Sequence, residues 1–334
     1  MRVLCTRAGR HGSLGLSLWR DCIDGDAIAF LTLDGSRRSN WRMTKAMLAI
    51  LAAVTLALLA LLAWRWADNL AEQDAWRRLI SRQPAAPAAF DYSMIATLPD
   101  PAQRFFRFAI TPGTPLRTVA EISMEGEFSL GNKAEPNYMP MRAEQLLAAP
   151  DGFVWKVRAG DKVWFAGSDG AVDGTSWSRF WLLNIVPVAR AGNNADHMRA
   201  AFGRYVAEAV FWSPAALLPG EHVRWEAIDD SSARVILAHK GLEQAVDVTV
   251  DAAGRPIKVI FQRWSNANTD KTFRLQPFGG YLSDYETFGG FRLPTRVEAG
   301  NHFETDDYFA FFKATVTAVR FPLVDGDEGD SSVN

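Results

Sequence analysis

The sequence predicts an α+β fold in which a curved antiparallel β-sheet of about a dozen strands surrounds one or two helices, plus a transmembrane helix near the N-terminus. Three observations support this prediction. Short segments alternate apolar and polar residues along most of the chain, one strong amphipathic helix interrupts them, and an unbroken apolar run stands near the start. Strands and helices do not alternate in the rhythm of a parallel sheet, so an antiparallel arrangement is expected.

The clearest strand is predicted at Val119–Leu130. From Ala120 onwards its even positions are apolar or glycine and its odd positions carry Glu or Ser, the period of two that gives a strand one wet face. Ser176–Val188 is apolar on both faces and is interpreted as a strand, with a helix as the alternative. Gly289-Gly290 predicts a hairpin turn, and residues 167–170 are also interpreted as a turn.

One strong helix is predicted at Asp196–Trp212, and Pro214 ends it. Arg199, Gly203 and Glu208 are expected to lie away from its apolar stripe. Because such a stripe needs a concave partner, we expect the helix to fill the curve of the sheet, with Trp212 near the open mouth. The apolar residues recur at helical spacing, at Met198, Phe202, Tyr205, Val206, Ala209 and Val210.

The membrane segment is predicted at Ala46–Ala63, where only Thr55 is polar. A helix of that length rises about 27 Å, close to the roughly 30 Å hydrocarbon core of a bilayer. Trp64 and Trp66 follow in the position of interfacial aromatic residues, and basic residues precede the run. An uncleaved anchor with its N-terminus inside is predicted, with a cleaved signal peptide as the alternative.

The predicted organisation has five parts. Residues 1–45 form a cytoplasmic tail, 46–66 the transmembrane anchor, 67–94 a juxtamembrane helix and linker, 95–322 the folded domain, and 323–334 a disordered acidic tail. Met43-Thr44-Lys45 makes an ordinary start for a signal anchor. Residues 1–42, which hold both Cys5 and Cys22, are therefore interpreted as an over-extended start, with a genuine short tail as the alternative.

Charge and composition exclude several classes of protein. A formal net charge of −2 gives no support for nucleic-acid binding through a basic face. Two cysteines exclude a disulfide scaffold, and the histidines stand apart, so no metal site is predicted. The sequence contains neither a phosphate-binding loop nor a dinucleotide glycine pattern, and no cofactor is expected.

Several long motifs resemble a bacterial domain-of-unknown-function family whose members carry one N-terminal anchor. The motifs include LPDPAQRFFRFAITPGTP (98–115), RYVAEAVFWSPAALLP (204–219) and DYETFGGFRLPTRVEAG (284–300). The resemblance covers about residues 95–320 and implies a half-barrel similar to that of periplasmic lipoprotein carriers. It lends no established activity. With the anchor, it implies a single-pass protein of the bacterial inner membrane whose folded domain lies outside the cytoplasm.

The leading functional hypothesis is a non-catalytic binding module for a lipid or another apolar ligand. A curved sheet with a helix on its concave side can enclose an apolar cavity, and the chain is rich in tryptophan. In the alternative interpretation these rings only fill the core. Arg204 and Arg296 are candidates to hold an anionic head group, and the candidate apolar contacts are Trp155, Tyr205, Trp212 and Trp225.

Two other functions are kept as alternatives. The first is a cell-envelope hydrolase that uses a pair of carboxylates, with Glu144 and Asp284 as candidates. The second is an envelope assembly scaffold that presents a sheet edge to another protein. A structural role is expected for Glu208, which is predicted to form a surface pair with Arg204 one turn back.

Overall fold

The computed structural model describes residues 34–323, with side chains from residue 41 onwards. The predicted over-extended start with its two cysteines, and all but the first residue of the predicted acidic tail, lie outside the described residues. Residues up to Thr55 and residues from Leu56 onwards belong to separate compact units.

The first helix, α1, spans Asp34–Ile80. From Trp41 to Ile80 it is long and apolar enough to cross a membrane, and none of its most apolar window is buried. A core helix of a soluble protein would be mostly buried over such a stretch. The exposed apolar surface therefore agrees with the predicted anchor in length and composition.

After α1, the described residues form a single antiparallel sheet of 13 strands with two further α-helices, which confirms the predicted fold class. The helices are α2 (Asp100–Ala109) and α3 (Ala195–Trp212). The strands are β1 (Ala120–Ser129), β2 (Tyr138–Ala148), β3 (Gly152–Gly160), β4 (Trp164–Val172), β5 (Thr175–Leu182), β6 (Val186–Gly192), β7 (Val223–Ala227), β8 (Ser232–His239), β9 (Leu242–Val250), β10 (Pro256–Ser265), β11 (Arg274–Phe288), β12 (Phe291–Asn301) and β13 (Phe309–Arg320).

The first and last strands along the chain, β1 and β13, pair with each other at the centre of the sheet. From β1 the chain moves strand by strand to the edge at β6, and after α3 it resumes at the opposite edge with β7 and returns to β13, which pairs with β1. Since β6 and β7 are the two edges, α3 is the connection that crosses from one half to the other. It contacts β9, β10 and β12 of one half and β2 to β6 of the other.

The sequence explains where α3 begins and ends. The Asn194 side chain accepts a hydrogen bond from the backbone N–H of His197 at 2.8 Å, a normal N-cap, and Pro214 opens a short 3₁₀ turn after the last residue. The predicted apolar stripe is buried except for the half-buried Met198, but Gly203 is buried as well. A Cβ at Gly203 would lie 2.6 Å from the Gln244 side-chain oxygen, so the prediction that Gly203 points away from the packed face is wrong.

Two local predictions in the first half of the sheet need correction. Residues 167–170 lie inside β4 and not in a turn. Glycine is needed there for close packing, because a Cβ at Gly170 would lie 2.4 Å from the Trp177 ring. The segment Ser176–Val188 forms parts of β5 and β6, and its turn contains Leu183 and Asn184 with positive φ angles. The predicted turn at Gly289-Gly290 is confirmed, with φ angles of 55° and 89°.

The C-terminal part of α1 packs against the sheet through a second, smaller core. Ala75 and Leu79 join Leu146, Val154 and Trp177 in this buried cluster. These strand residues alternate with those of the main core, so α1 covers the face opposite α3. Just after the helix, the buried Gln83 side chain accepts hydrogen bonds from the backbone N–H groups of residues 118 and 119.

Candidate functional site

A cavity of about 250 Å³ lies between α3 and the sheet. Residues from α3 line one side, and the other sides come from strands of both halves, including β1, β3 and β10 to β13. The sheet curves around α3, and side chains do not fill the space beside the C-terminal half of the helix. The predicted arrangement of one helix inside a curved sheet therefore produces an internal cavity.

Nine of the 20 residues that line the cavity are aromatic. Neighbouring rings contact one another in edge-to-face and tilted geometry, for example Phe261 with Phe278 at 5.4 Å and Phe278 with Phe311 at 6.0 Å between centroids. Such walls favour an apolar occupant over water, because they offer few hydrogen bonds. The aromatic lining residues are Phe128, Trp155, Phe180, Phe211, Trp212, Phe261, Phe278, Phe311 and Phe312.

One charged network interrupts the apolar wall. Arg204 on α3 donates to Glu208 Oε1 at 2.8 Å and to Asp169 Oδ2 at 2.7 Å. Gln145 donates to the second oxygen of Glu208 at 2.7 Å, and Ser178 donates to the second oxygen of Asp169 at 2.8 Å. Each carboxylate in this network therefore has both of its oxygens occupied.

The pair of Arg204 and Glu208 is formed as predicted, but it is not a surface pair. Their side chains are only 18% and 15% exposed. Burial alone would lower the pKa of Arg204, but the charges of Glu208 and Asp169 outweigh this and raise it. The difference from the prediction arises because Glu208 faces the cavity and not solvent.

A serine and a histidine stand beside Asp169, but not in the order of a nucleophilic triad. His197 contacts Ser178 through Nε2 at 3.0 Å and Ser176 through Nδ1 at 2.9 Å. Ser178 itself donates to Asp169. In a serine hydrolase the imidazole lies between the carboxylate and the hydroxyl and is oriented by the carboxylate. Here the hydroxyl lies between them, so this group is not arranged to activate Ser178.

The second cation of the cavity, Arg263, was not among the predicted site residues. It lies on β10 in phase with Val259 and Phe261, which also line the cavity. Within residues 34–323 it makes no hydrogen bond or ion pair, its Nε is buried without a partner, and its guanidinium lies 4.9 Å from the Phe278 ring centroid. Burial, and next the charge of Arg204, lower the pKa of Arg263 to about 10, so it remains charged at neutral pH.

A sequence signal for Arg263 is present in the apolar pattern of the segment that forms β10. Its residues Val259, Phe261 and Arg263 share one face by the period of two, and the first two mark that face as buried. A charged residue at the third position of a buried face is unusual. The prediction missed it because Arg263 is not an aromatic residue and lies outside the long motifs of the sequence.

Three of the predicted ligand contacts line the cavity, namely Trp155, Arg204 and Trp212. Trp212 is only 1% exposed, so it is part of the interior wall and not of an open mouth. Its indole N–H and that of Trp155 are buried without a hydrogen-bond partner in the described part of the chain.

The other three predicted contacts lie outside the cavity lining. Tyr205 donates to the Pro150 carbonyl at 3.2 Å, and Trp225 donates to the Leu217 carbonyl at 2.9 Å. The ring of Trp225 packs on the aromatic residues of α2. Arg296 is 69% exposed beside Asp284.

The structure does not bring the two candidate catalytic carboxylates together. Glu144 pairs with Lys156 at 2.8 Å in a polar depression on the α1 side of the sheet. Asp284 lies in a different depression, 3.7 Å from Arg296. Both carboxylates are more than half exposed and each lies beside a basic residue, so neither has the desolvated environment of a hydrolase general acid. No group of three or more His, Cys, Asp or Glu residues arranged to hold a metal occurs among the described residues.

The decisive comparison is with protein families, where the model of a family of unknown function, DUF6544, matches residues 88–314. The chain belongs to DUF6544. This confirms the resemblance to a domain-of-unknown-function family. The DUF6544 segment contains α2, α3 and every residue that lines the cavity, from Phe128 to Phe312. The cavity is therefore contained within the family domain, and α1 precedes it.

Two solved structures are similar to the chain over much of their length. One is a putative outer membrane lipoprotein-sorting protein domain from Vibrio parahaemolyticus, with 15% identity, a TM-score of 0.34, and coverage of 61% of this chain and 85% of that one. The other is the LolA superfamily protein NE2245 from Nitrosomonas europaea, with 10% identity, a TM-score of 0.35, and coverage of 71% and 96%. No curated protein sequence matches the chain.

Proposed function

We propose that this protein is a membrane-anchored, non-catalytic module that binds a lipid or another apolar molecule outside the cytoplasm. The observation that carries the proposal is the aromatic cavity between α3 and the sheet. An apolar wall of this kind stabilises a hydrocarbon group by removing it from water, at about 25 cal/mol for each Å² of apolar surface buried.

The volume of the cavity suits a ligand with a single hydrocarbon chain. Its volume of about 250 Å³ lies just below the usual range of small-molecule pockets, about 300–1,000 Å³. One hydrocarbon chain suits this volume better than several chains side by side. The proposed ligand is thus a single acyl or alkyl chain.

The placement outside the cytoplasm rests on α1 and the charges before it. The basic residues Arg37, Arg38, Arg42 and Lys45 precede the apolar run, and Arg65 is the first base after it. Positively charged flanks stay on the cytoplasmic side of a membrane. In this proposal, the DUF6544 domain therefore stands on the other side, next to the bilayer from which an apolar ligand would come.

The contacts around the cavity support binding without chemistry. A hydrolase needs a nucleophile or an acid–base pair that is free to act on a substrate. Each carboxylate in the cavity wall accepts hydrogen bonds on both of its oxygens, from Arg204 and from a neutral side chain. The candidate carboxylates on the surface lie in separate depressions.

The test is co-purification of ligand with the full-length protein. The chain is purified in detergent, transferred to amphipol and extracted with organic solvent, and the extract is analysed by mass spectrometry. Ala299→Leu adds side-chain volume at the cavity wall, and Ala195→Leu makes the same change at an exposed position at the start of α3. Lipids that adhere to α1 should appear in the extracts of the wild type and of both variants, so they do not distinguish the three proteins.

We expect an apolar species that is present in the wild type and in Ala195→Leu and is depleted in Ala299→Leu. The same lipid profile in all three proteins would show that the cavity does not retain an apolar molecule. A melting curve of each protein checks that Ala299→Leu is folded, since overpacking costs about 1–3 kcal/mol.

A further inference from the structure

We propose that the ligand of the cavity is an amphiphile with a single chain and an anionic head group, a carboxylate or a phosphate monoester, which Arg263 binds. This inference rests on the proposed function, because it names the head group of a ligand whose chain occupies the same cavity. It differs from the sequence-based hypothesis, in which Arg204 and Arg296 were the candidates for this role.

The first argument is the state of Arg263 itself. A guanidinium carries five N–H donors, and this one makes no hydrogen bond or ion pair within residues 34–323 although its Nε is buried. A buried N–H donor is normally hydrogen-bonded, because desolvating it without compensation is costly. The contact with the Phe278 ring compensates only part of that cost.

The second argument is that the neighbouring carboxylates are already used. Asp169 and Glu208 each bind Arg204 at 2.7–2.8 Å and take their remaining hydrogen bonds from Ser178 and Gln145. Arg204 therefore pairs with two carboxylates, whereas Arg263 has no carboxylate within hydrogen-bond distance among the described residues. Of the two cavity arginines, Arg263 is the one with donors left for a ligand.

The third argument is the position of Arg263 relative to the apolar wall. It follows Val259 and Phe261 on the same face of β10 and is only partly buried, whereas Phe261 is 6% exposed. A ligand with its chain against the aromatic wall would bring its polar end to this strand end. A carboxylate or phosphate there supplies both a negative charge and acceptors that match the planar fork of a guanidinium.

The test uses ligands that share one chain and differ in the head group. Decanoate, decyl phosphate, decanol and decyltrimethylammonium are titrated calorimetrically, each below its micellar concentration, into full-length protein in amphipol, with empty amphipol as the blank. The variants are Arg263→Met, which keeps an unbranched apolar stem, and Arg296→Met, the same change at a 69% exposed position.

In the wild type and in Arg296→Met, we expect decanoate or decyl phosphate to bind about 10–100-fold more tightly than decanol, the effect of one charge-assisted hydrogen-bonded pair. The tighter of the two anions identifies the head group. In Arg263→Met this preference should disappear while decanol binding is kept. Melting curves should show that Arg263→Met is at least as stable as the wild type, because the substitution removes a buried N–H group that has no partner among the described residues.

Equal binding of decanol and both anions by the wild type would overturn the inference and leave the proposed function standing. An anion preference that survives in Arg263→Met would also overturn it, since another group would then hold the head group. Binding of none of the four ligands would overturn the proposed function together with the inference. A loss of stability in Arg263→Met would indicate a structural role and contradict the assignment.

Discussion

Asp68 on α1 accepts two hydrogen bonds from Arg190 on β6, at 2.7 and 3.0 Å. A third comes from the indole N–H of Trp181 on β5, also at 3.0 Å. The Asp68 side chain is only 7% exposed. This contact joins the helix that follows the apolar segment to the edge of the sheet, so the DUF6544 domain and the juxtamembrane part of α1 form one packed unit.

Replacing Asp68 with Asn should destabilise the protein by about 1–3 kcal/mol. The substitution keeps the shape but removes the charge that receives two hydrogen bonds from a guanidinium, and bonds to charged groups contribute in this range. Asp173→Asn is the matched control, because Asp173 also pairs with arginines, Arg78 of α1 and Arg82 just after it, but is 34% exposed. Chemical denaturation of the full chain measures both, and equal effects would contradict the importance of the Asp68 contact.

The same residue should give the protein an acid-dependent stability. Burial alone would raise the pKa of Asp68, but hydrogen bonds from Arg190 and Trp181 outweigh it and lower the pKa below the ordinary value of 3.8. A lowered pKa in the folded state means that the stabilisation is present above that ordinary value and is lost as the pH falls through the folded-state pKa. The melting temperature of the wild type should therefore fall more steeply with acid below about pH 4 than that of Asp68→Asn. Parallel curves for the two proteins would count against this.

The packing of α3 in the sheet predicts a large effect for Phe202→Ala. Phe202 is 1% exposed and packs on Tyr205 at 5.3 Å between ring centroids, so truncation should cost about 3–5 kcal/mol. Arg199→Ala on the exposed side of the same helix should cost less than about 1 kcal/mol, because its stacking on Trp264 is at the surface. A neutral Phe202→Ala would mean that α3 does not fill the curve of the sheet.

The charged network of the cavity should be worth more than a surface pair. Glu208→Gln removes the anion that Arg204 binds at 2.8 Å, where both side chains are mostly buried, and we expect a loss of more than about 1 kcal/mol. Glu243→Gln is the control, since Glu243 pairs with Arg224 where both are more than half exposed. The stabilities are compared by denaturant titration at neutral pH. Equal small losses would show that the pair of Arg204 and Glu208 stabilises the protein no more than a surface pair does.

Most of the fold could be predicted because it depends on patterns that are local in the sequence. The period of two in β1 and the helical period of α3 each indicate which face is buried. The errors arose where a long-range neighbour decides the structure. Gly170 looks like a turn residue in the sequence, but the Trp177 ring of the next strand requires a glycine there.

The candidate site was predicted less well, because a cavity depends on which residues face each other across the sheet. Trp155, Arg204 and Trp212 were chosen for their residue type and do line the cavity. Trp225 is also a tryptophan, but it lies on β7 and its ring packs on α2. That Arg204, and not Arg263, bonds to Asp169 and Glu208 depends on positions across the sheet, which no sequence pattern shows.

The central claim is that an apolar chain enters the cavity between α3 and the sheet, and fluorescence quenching tests it most directly. Full-length protein in amphipol is titrated with decanol that carries bromine at the chain end, a quencher of nearby tryptophan. Trp155→Phe/Trp212→Phe removes the two tryptophans of the cavity, and Trp64→Phe/Trp66→Phe removes two that follow the apolar segment of α1. We predict that a saturable part of the quenching is lost in the first double variant and kept in the second. Saturable quenching that is kept in the first and lost in the second would place the chain on α1 and contradict the account.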